Sequence, residues 1–251
     1  RRHSSAASDV YKRQLQTWIL IQKHSYLMKK NILIIGFGDI GERLRLQMKN
    51  DKYKFYPISR GNFRSDLKNY IKWDWLSKEI PKLEHKEYDS IVFIPKPSSF
   101  DAIGYDEGFI HSSDNVFRLC KELSYKKFIT ISSTRVYGTD KSGIYNESHP
   151  LEKDDFRCKS LINYEQNQVK NYGNKLIILR FSGLYDSLAD RKSINYLHRD
   201  NAACIIRFFI KNDFKSETHQ IFNCSEDRND GLGNISNSKL KKLGFIFNDF
   251  D

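Results

Sequence analysis

Apolar residues fall along this chain in short unbroken runs, separated by stretches of helical spacing. Residues 31–35, Asn-Ile-Leu-Ile-Ile, are rich in β-branched side chains and predict a strand buried on both faces. Similar runs predict strands at 53–59, 89–94, 127–133, 175–181 and 220–224, and a short one within 71–75 ending at Asp74. The 89–94 run stops at Pro95-Lys-Pro97, since proline has no N–H to give a ladder. Helices are predicted over 42–49, with Leu44, Leu46 and Met48 apolar, and over 114–124 through Val116, Leu119, Cys120 and Leu123. Others are predicted over about 154–172, over 201–210, and over 236–243 with Ser236 as a cap. Strands alternating with helices predict an α/β fold, a doubly wound and mostly parallel sheet.

The first run ends in Gly36-Phe-Gly-Asp-Ile-Gly41, a G-x-G-x-x-G between a strand and a helix. Gly36 permits the tight turn, Gly38 lets a pyrophosphate approach the backbone, and Gly41 lets helix and strand pack closely. The helix start offers unpaired N–H groups to phosphate. Gly36, Gly38, Asp39, Ile40 and Gly41 are therefore candidate dinucleotide-binding residues; the alternative is a tight turn without a ligand. The next strand ends Ser59-Arg60-Gly61-Asn62, with no acid to accept from a ribose 2′-hydroxyl. A guanidinium there suits a 2′-phosphate, which favours NADP over NAD. Otherwise Arg60 is a solvated loop cation. Ile94 and Pro95 should face the cofactor, because ligands of open parallel sheets lie at the strands' carboxyl ends.

Charge changes the picture little. The formal net charge is +11. Residues 1–27 contribute Arg1, Arg2, Lys12, Arg13 and Lys23 against Asp9, leaving +7 for the rest. Asp9-Val-Tyr-Lys-Arg-Gln14 resembles a translated sequencing adaptor, and Met28-Lys-Lys-Asn-Ile reads as a natural start. An artefactual or disordered extension is expected over 1–27, and a single domain over 28–251. The remaining lysines are scattered, with no basic helix or basic–aromatic stripe, which argues against nucleic acid. Trp18-Ile-Leu-Ile21 is far shorter than the ~20 apolar residues of a membrane span, and no other segment comes near that length. Cys120, Cys158, Cys204 and Cys224 lack metal-site spacing and are expected to be reduced and mostly buried, as in a cytoplasmic protein.

Several segments together resemble the extended short-chain dehydrogenase/reductase superfamily, in its NAD-dependent epimerase/dehydratase branch. Besides the glycine turn these are Ile131-Ser-Ser-Thr-Arg-Val-Tyr-Gly138, Asn146-Glu-Ser-His-Pro150, Leu179-Arg-Phe-Ser-Gly-Leu-Tyr185 and Leu197-His-Arg-Asp-Asn-Ala-Ala203. The closing Ile235-Ser-Asn-Ser-Lys-Leu-Lys-Lys-Leu-Gly244 is similar to an atypical subgroup of nucleoside-diphosphate-sugar epimerases. The resemblance implies a Rossmann core with a small C-terminal substrate lobe at about 182–251. It implies that Ser133 holds the substrate oxygen, that Asp74 lies beside the adenine, and that Ile94 and Pro95 form the turn after the fourth strand.

The departure from that pattern concerns the chemistry. The family's Y-x-x-x-K pair precedes a glutamate, and the register that puts Glu165 there puts Arg157 at the tyrosine and Leu161 at the lysine. An arginine cannot replace a phenol in proton transfer, and a leucine cannot lower a pKa. Tyr26/Lys30 and Tyr137/Lys141 have the spacing by chance; Lys159 and Tyr164 have the wrong order. Arg157 either faces the substrate space, where it suits an anionic ligand, or turns outward to Asp154 or Asp155. Only residues 186–196 separate Tyr185 from Leu197, so a large nucleotide-sugar has little surface. Two functions are compatible with these residues. One is an oxidoreductase or epimerase using NADP(H) or NAD(H) on a small or sugar-like substrate. The other is a dinucleotide-binding sensor or scaffold without hydride chemistry.

Overall fold

The computed structural model describes residues 10–16, 29–49, 52–61, 64–77, 79–138, 143–151, 153, 155–214, 216–228 and 233–250. Of the N-terminal stretch only 10–16 is described, a helical segment exposed at every residue.

β1 (Lys30–Ile35) is an inner strand, third in order, of a seven-stranded sheet. Ile32 and Ile34 face one core layer, Leu33 and Ile35 the other, and all four are fully buried. Each such burial stabilises the fold by ~1.5–3 kcal/mol. With both faces apolar the side chains do not choose a face; the turn that follows does. β2 (Tyr53–Ser59) pairs with β1, and β3, only Ile71–Lys72, pairs with β2. On the other side follow β4 (Glu87–Phe93), β5 (Ser124–Ser133), β6 (Leu176–Phe181) and β9 (Gln220–Cys224). Every pairing is parallel and the order is β3-β2-β1-β4-β5-β6-β9. This is the doubly wound Rossmann order, with its switch point between β1 and β4.

Helix α1 (Asp39–Gln47) starts earlier than the apolar spacing predicts, directly at the glycine turn. Leu44 and Met48, four residues apart, are buried; Leu46, off that stripe, is 53% exposed. The predicted helix at 114–124 is the end of a longer one. It begins as α2 (Ala102–Tyr105), passes through a π-helical segment, Asp106–His111, and continues as α3 (Ser112–Cys120). Two glycines hid it. A Cβ on Gly104 would meet Ser99 Oγ at 2.1 Å, and one on Gly108 would meet Lys96 O at 2.3 Å. They let the loop after β4 lie against the helix.

Helix α4 (Phe156–Tyr172) is capped by Asp155, whose carboxylate accepts from Cys158 N at 2.9 Å. α3 and α4 cover one face of the sheet; α1 and α5 (Arg199–Lys211) cover the other. β7 (Gly183–Tyr185) and β8 (Tyr196–His198) form a separate parallel pair that apolar spacing did not predict, being three residues each. Within 182–251, α5 and β9 complete the main sandwich, and the β7–β8 pair lies outside the large sheet. α6 (Ser238–Lys242) closes the chain; Asn237, not Ser236, is its cap residue. All four cysteines are free and buried. No helix among the described residues is long and apolar enough to cross a membrane.

Candidate functional site

Two cavities open at the carboxyl edge of the sheet. The first, about 490 Å³, sits over the switch point. Gly36 has φ +88°, and a Cβ there would meet Ile94 O at 2.3 Å, so only glycine lets β4 exit across β1. At Gly38 a Cβ would have no atom nearer than 4.0 Å: the space above it is open to a ligand. Gly41 packs instead against Phe37, where a Cβ would come within 2.9 Å of the ring. α1 starts at Gly38 without a side-chain cap, so its first N–H groups remain available for an anion.

Gly36, Gly38, Asp39, Ile40, Ser59, Arg60, Ile94 and Pro95 all line this cavity. Gly41 and Asp74 do not. The Asp74 carboxylate turns away to accept from Leu76 N at 3.1 Å, and Trp75 takes the wall expected of it. The Arg60 guanidinium lies 5.1 Å from the Trp75 ring. Ser59 Oγ is within 2.8 Å of the Tyr70 hydroxyl. Lys96 and Arg199 also line it, cations that sequence reasoning missed: Lys96 sits in the loop after β4, and the motif around Arg199 at the start of α5 did not point to the cofactor. An acid at Asp39 would repel phosphate if left alone. Arg43 donates to it at 3.0 Å and so does Arg199, also at 3.0 Å. Burial works against its charge, yet these two arginines hold its carboxyl below the usual range. Arg43 also donates to Asp186 and Asp200, tying the glycine turn to β7 and α5.

The second cavity, about 530 Å³, is lined by Tyr105, Ser133, Arg135, Arg157, Ser182 and Asn195 among others. The same strands supply both cavities: Ile131 of β5 and Phe181 of β6 line the first, Ser133 of β5 and Ser182 just after β6 the second. Ser133 Oγ accepts from Arg135 N at 3.2 Å, which leaves its O–H to donate. Arg157 lies on this cavity together with Ser133. Asp155 is engaged by Arg135 instead; Asp154 is outside the described residues. Leu161 is 1% exposed and packs in the core. Tyr164 is fully buried with its hydroxyl on Thr130, and burial raises its pKa far above the usual value. Lys159 is exposed.

Tyr105 is the phenol that motif reasoning missed; nothing in its neighbourhood marks it. Its ring packs edge-on to Phe156 at 5.5 Å and beside Phe109 at 5.6 Å. Burial raises its pKa, while Arg157 and Arg135 pull it back. At neutral pH it is therefore a proton donor.

The remaining motif residues gather elsewhere. Arg180, 2% exposed, donates to Glu165 at 2.9 and 2.6 Å and to the Tyr137 hydroxyl at 2.7 Å. That hydroxyl is also within 3.0 Å of Asn146 O and 2.9 Å of Asn223 Oδ1. Glu147 accepts from Asn223 N at 2.8 Å. Burial opposes the charge on Arg180, but the Glu165 carboxylate beside it keeps it protonated.

No protein-family profile and no curated protein matches the chain. Solved structures do. A UDP-N-acetylglucosamine 4-epimerase from Bacillus cereus superposes with TM-score 0.68 at 17% identity, over 88% of this chain and 92% of that one. A glucuronic acid dehydrogenase from Chromohalobacter salexigens gives 0.70 at 13% identity, over 88% and 85%. A UDP-glucuronic acid 4-epimerase from Bacillus cereus, solved in complex with NAD, gives 0.64 at 18% identity, over 79% of each chain. The fold is that of the NAD-dependent epimerases and dehydratases. Within this fold Glu165 and Arg180 form an ion pair buried in the core.

Proposed function

We propose that the chain binds NADP(H), or NAD(H), over the switch point and uses it to oxidise, reduce or epimerise a small polar substrate held in the adjoining cavity. The residues fit the dinucleotide. Gly38 leaves open space beside the uncapped start of α1, and no acid stands at the end of β2. Arg60 lines the cavity, where a guanidinium suits a 2′-phosphate, and Lys96 adds a second cation. One structural neighbour was solved with NAD, and another with UDP-glucose and NAD. Bound there, a nicotinamide would supply or accept hydride.

The observation that carries the enzymatic reading is the second cavity: open, polar, and lined by both a hydroxyl and a phenol. Ser133 donates to the substrate oxygen. The Tyr105 phenol gives or takes the proton at that oxygen, in the role that α4 cannot fill. Arg157 and Arg135 stabilise the phenolate it becomes.

The second reading, a sensor or scaffold that holds the dinucleotide without turnover, is favoured by Leu161, whose buried side chain supplies no charge. The two separate in one assay. Reduced dinucleotide is titrated by fluorescence and then incubated with a panel of small aldehydes, ketones and keto acids. Saturable binding with consumption of the reduced nicotinamide supports the enzyme. Saturable binding with no consumption across the panel supports the sensor, and absence of binding removes both.

A further inference from the structure

The charges around the second cavity do not cancel. Arg135 and Arg157 are the cations among its lining residues. Arg135 is already paired with Asp155, which also caps α4. That carboxyl is lowered to about 2: burial works against its charge, but the Cys158 N–H and Arg135 outweigh it. The pair is neutral, although Arg135 Nε is itself without an acceptor. Arg157 has no such partner among the described residues. Its guanidinium lies 5.5 Å from the Phe156 ring, and its Nε is buried without an acceptor. An unsatisfied, half-buried charged donor is costly unless a ligand completes it. Asn195 cannot turn to help. Its Oδ1 accepts from Asn234 N at 3.0 Å and Ile235 N at 3.2 Å, and its Nδ2 donates to Asn234. It fixes the wall.

One uncompensated positive charge calls for one negative charge. A diphosphate would bring at least two, and a neutral ligand could accept from the buried Nε–H but would leave the charge uncompensated. A carboxylate matches a guanidinium with two parallel hydrogen bonds. The remaining polar groups, Ser133 above all, suit hydroxyl or carbonyl oxygens. We infer that the second cavity takes a small hydroxylated or keto monocarboxylate, its carboxylate on Arg157 and a neighbouring oxygen on Ser133. This rests on the proposed function and narrows its substrate to one chemical class.

The test is calorimetric titration of the NADP-saturated protein with lactate, glycerate and gluconate, with the corresponding amides as neutral probes and with inorganic phosphate. At least one acid should bind, with its amide at least about tenfold weaker. Arg157→Gln should weaken that acid about ten- to a hundredfold, Arg157→Lys less, while dinucleotide affinity stays that of the wild type. Failure of all three acids to bind, equal binding of acid and amide, tighter binding of phosphate, or an Arg157→Gln variant that binds the acid unchanged would each overturn the inference. If the wild type does not bind dinucleotide, the proposed function fails first, and the same titration shows which of the two has failed.

Discussion

The crevice between β1 and β4 and the cavity over the start of α4 lie side by side, yet they are specified in different ways. In the crevice the backbone decides. Gly36 is required because Ile94 O would stand 2.3 Å from any Cβ, and Gly38 leaves open space above the start of α1. In the cavity side-chain identity decides, and α4 carries both kinds of residue. Glu165 holds Arg180 in the core and Leu161 packs there, while Arg157 lines the cavity. The lesson is that most motifs behind the resemblance are structural. Tyr137, Asn146, Glu147, Glu165, Arg180 and Asn223 form one network, buried at Tyr137, Glu165, Arg180 and Asn223, that joins the turn after β5 to β6, β9 and α4. Such a network can persist whatever happens to the chemistry beside it.

Breaking the network should therefore cost the most. Glu165→Ala leaves Arg180 charged and buried, and unfolding in denaturant should show a loss of ~3–5 kcal/mol. A loss below ~1 kcal/mol would mean that the pair does not hold the core together.

The crevice should behave in the opposite way. Gly38→Val places its branched side chain in the open cavity, where the nearest non-adjacent atom to the Cβ is Gly36 O at 4.0 Å. Dinucleotide binding should fall more than about a hundredfold with the melting temperature nearly unchanged, measured by fluorescence titration and calorimetry. Arg60→Ala should cost NADP(H) ~1.5–3 kcal/mol, about ten- to a hundredfold, and leave NAD(H) nearly unaffected. Equal wild-type affinity for the two dinucleotides would refute the assignment of Arg60.

A smaller effect tests the join between network and cavity. Asp155 titrates at about 2 in the folded chain against a usual 3.8. A depressed carboxyl adds stability that is fully present above its unfolded pKa and is lost as pH falls through the folded one. The wild type should lose this contribution between about pH 4 and pH 2. Asp155→Ala, lacking the cap, should be ~0.5–2 kcal/mol less stable at neutral pH and show a flatter acid limb in denaturant unfolding.

Much of this was legible in the sequence. β2 and β9 match their predicted bounds residue for residue, and the unbroken apolar stretch of β1 marks a strand buried on both faces. The glycine turn was legible because each glycine answers a backbone demand. The helix from Ala102 was not, because Gly104 and Gly108 interrupt its pattern where a loop must lie against it, and Ile103 on its outer side is 72% exposed. The β7–β8 pair is too short to show a period. In the site, Trp75 in place of Asp74, the cations Lys96 and Arg199, and the phenol of Tyr105 come from loops and helix ends brought together by the fold. No spacing rule connects them.

A crystal structure of the NADP complex tests the central claim most directly. It should show the pyrophosphate against the N–H groups of Asp39 and Ile40 beside Gly38, the 2′-phosphate on Arg60, and the nicotinamide ring opening onto Ser133, Tyr105 and Arg157. A dinucleotide bound elsewhere, or a nicotinamide facing a surface from which Tyr105 and Arg157 have both turned to solvent, would contradict it.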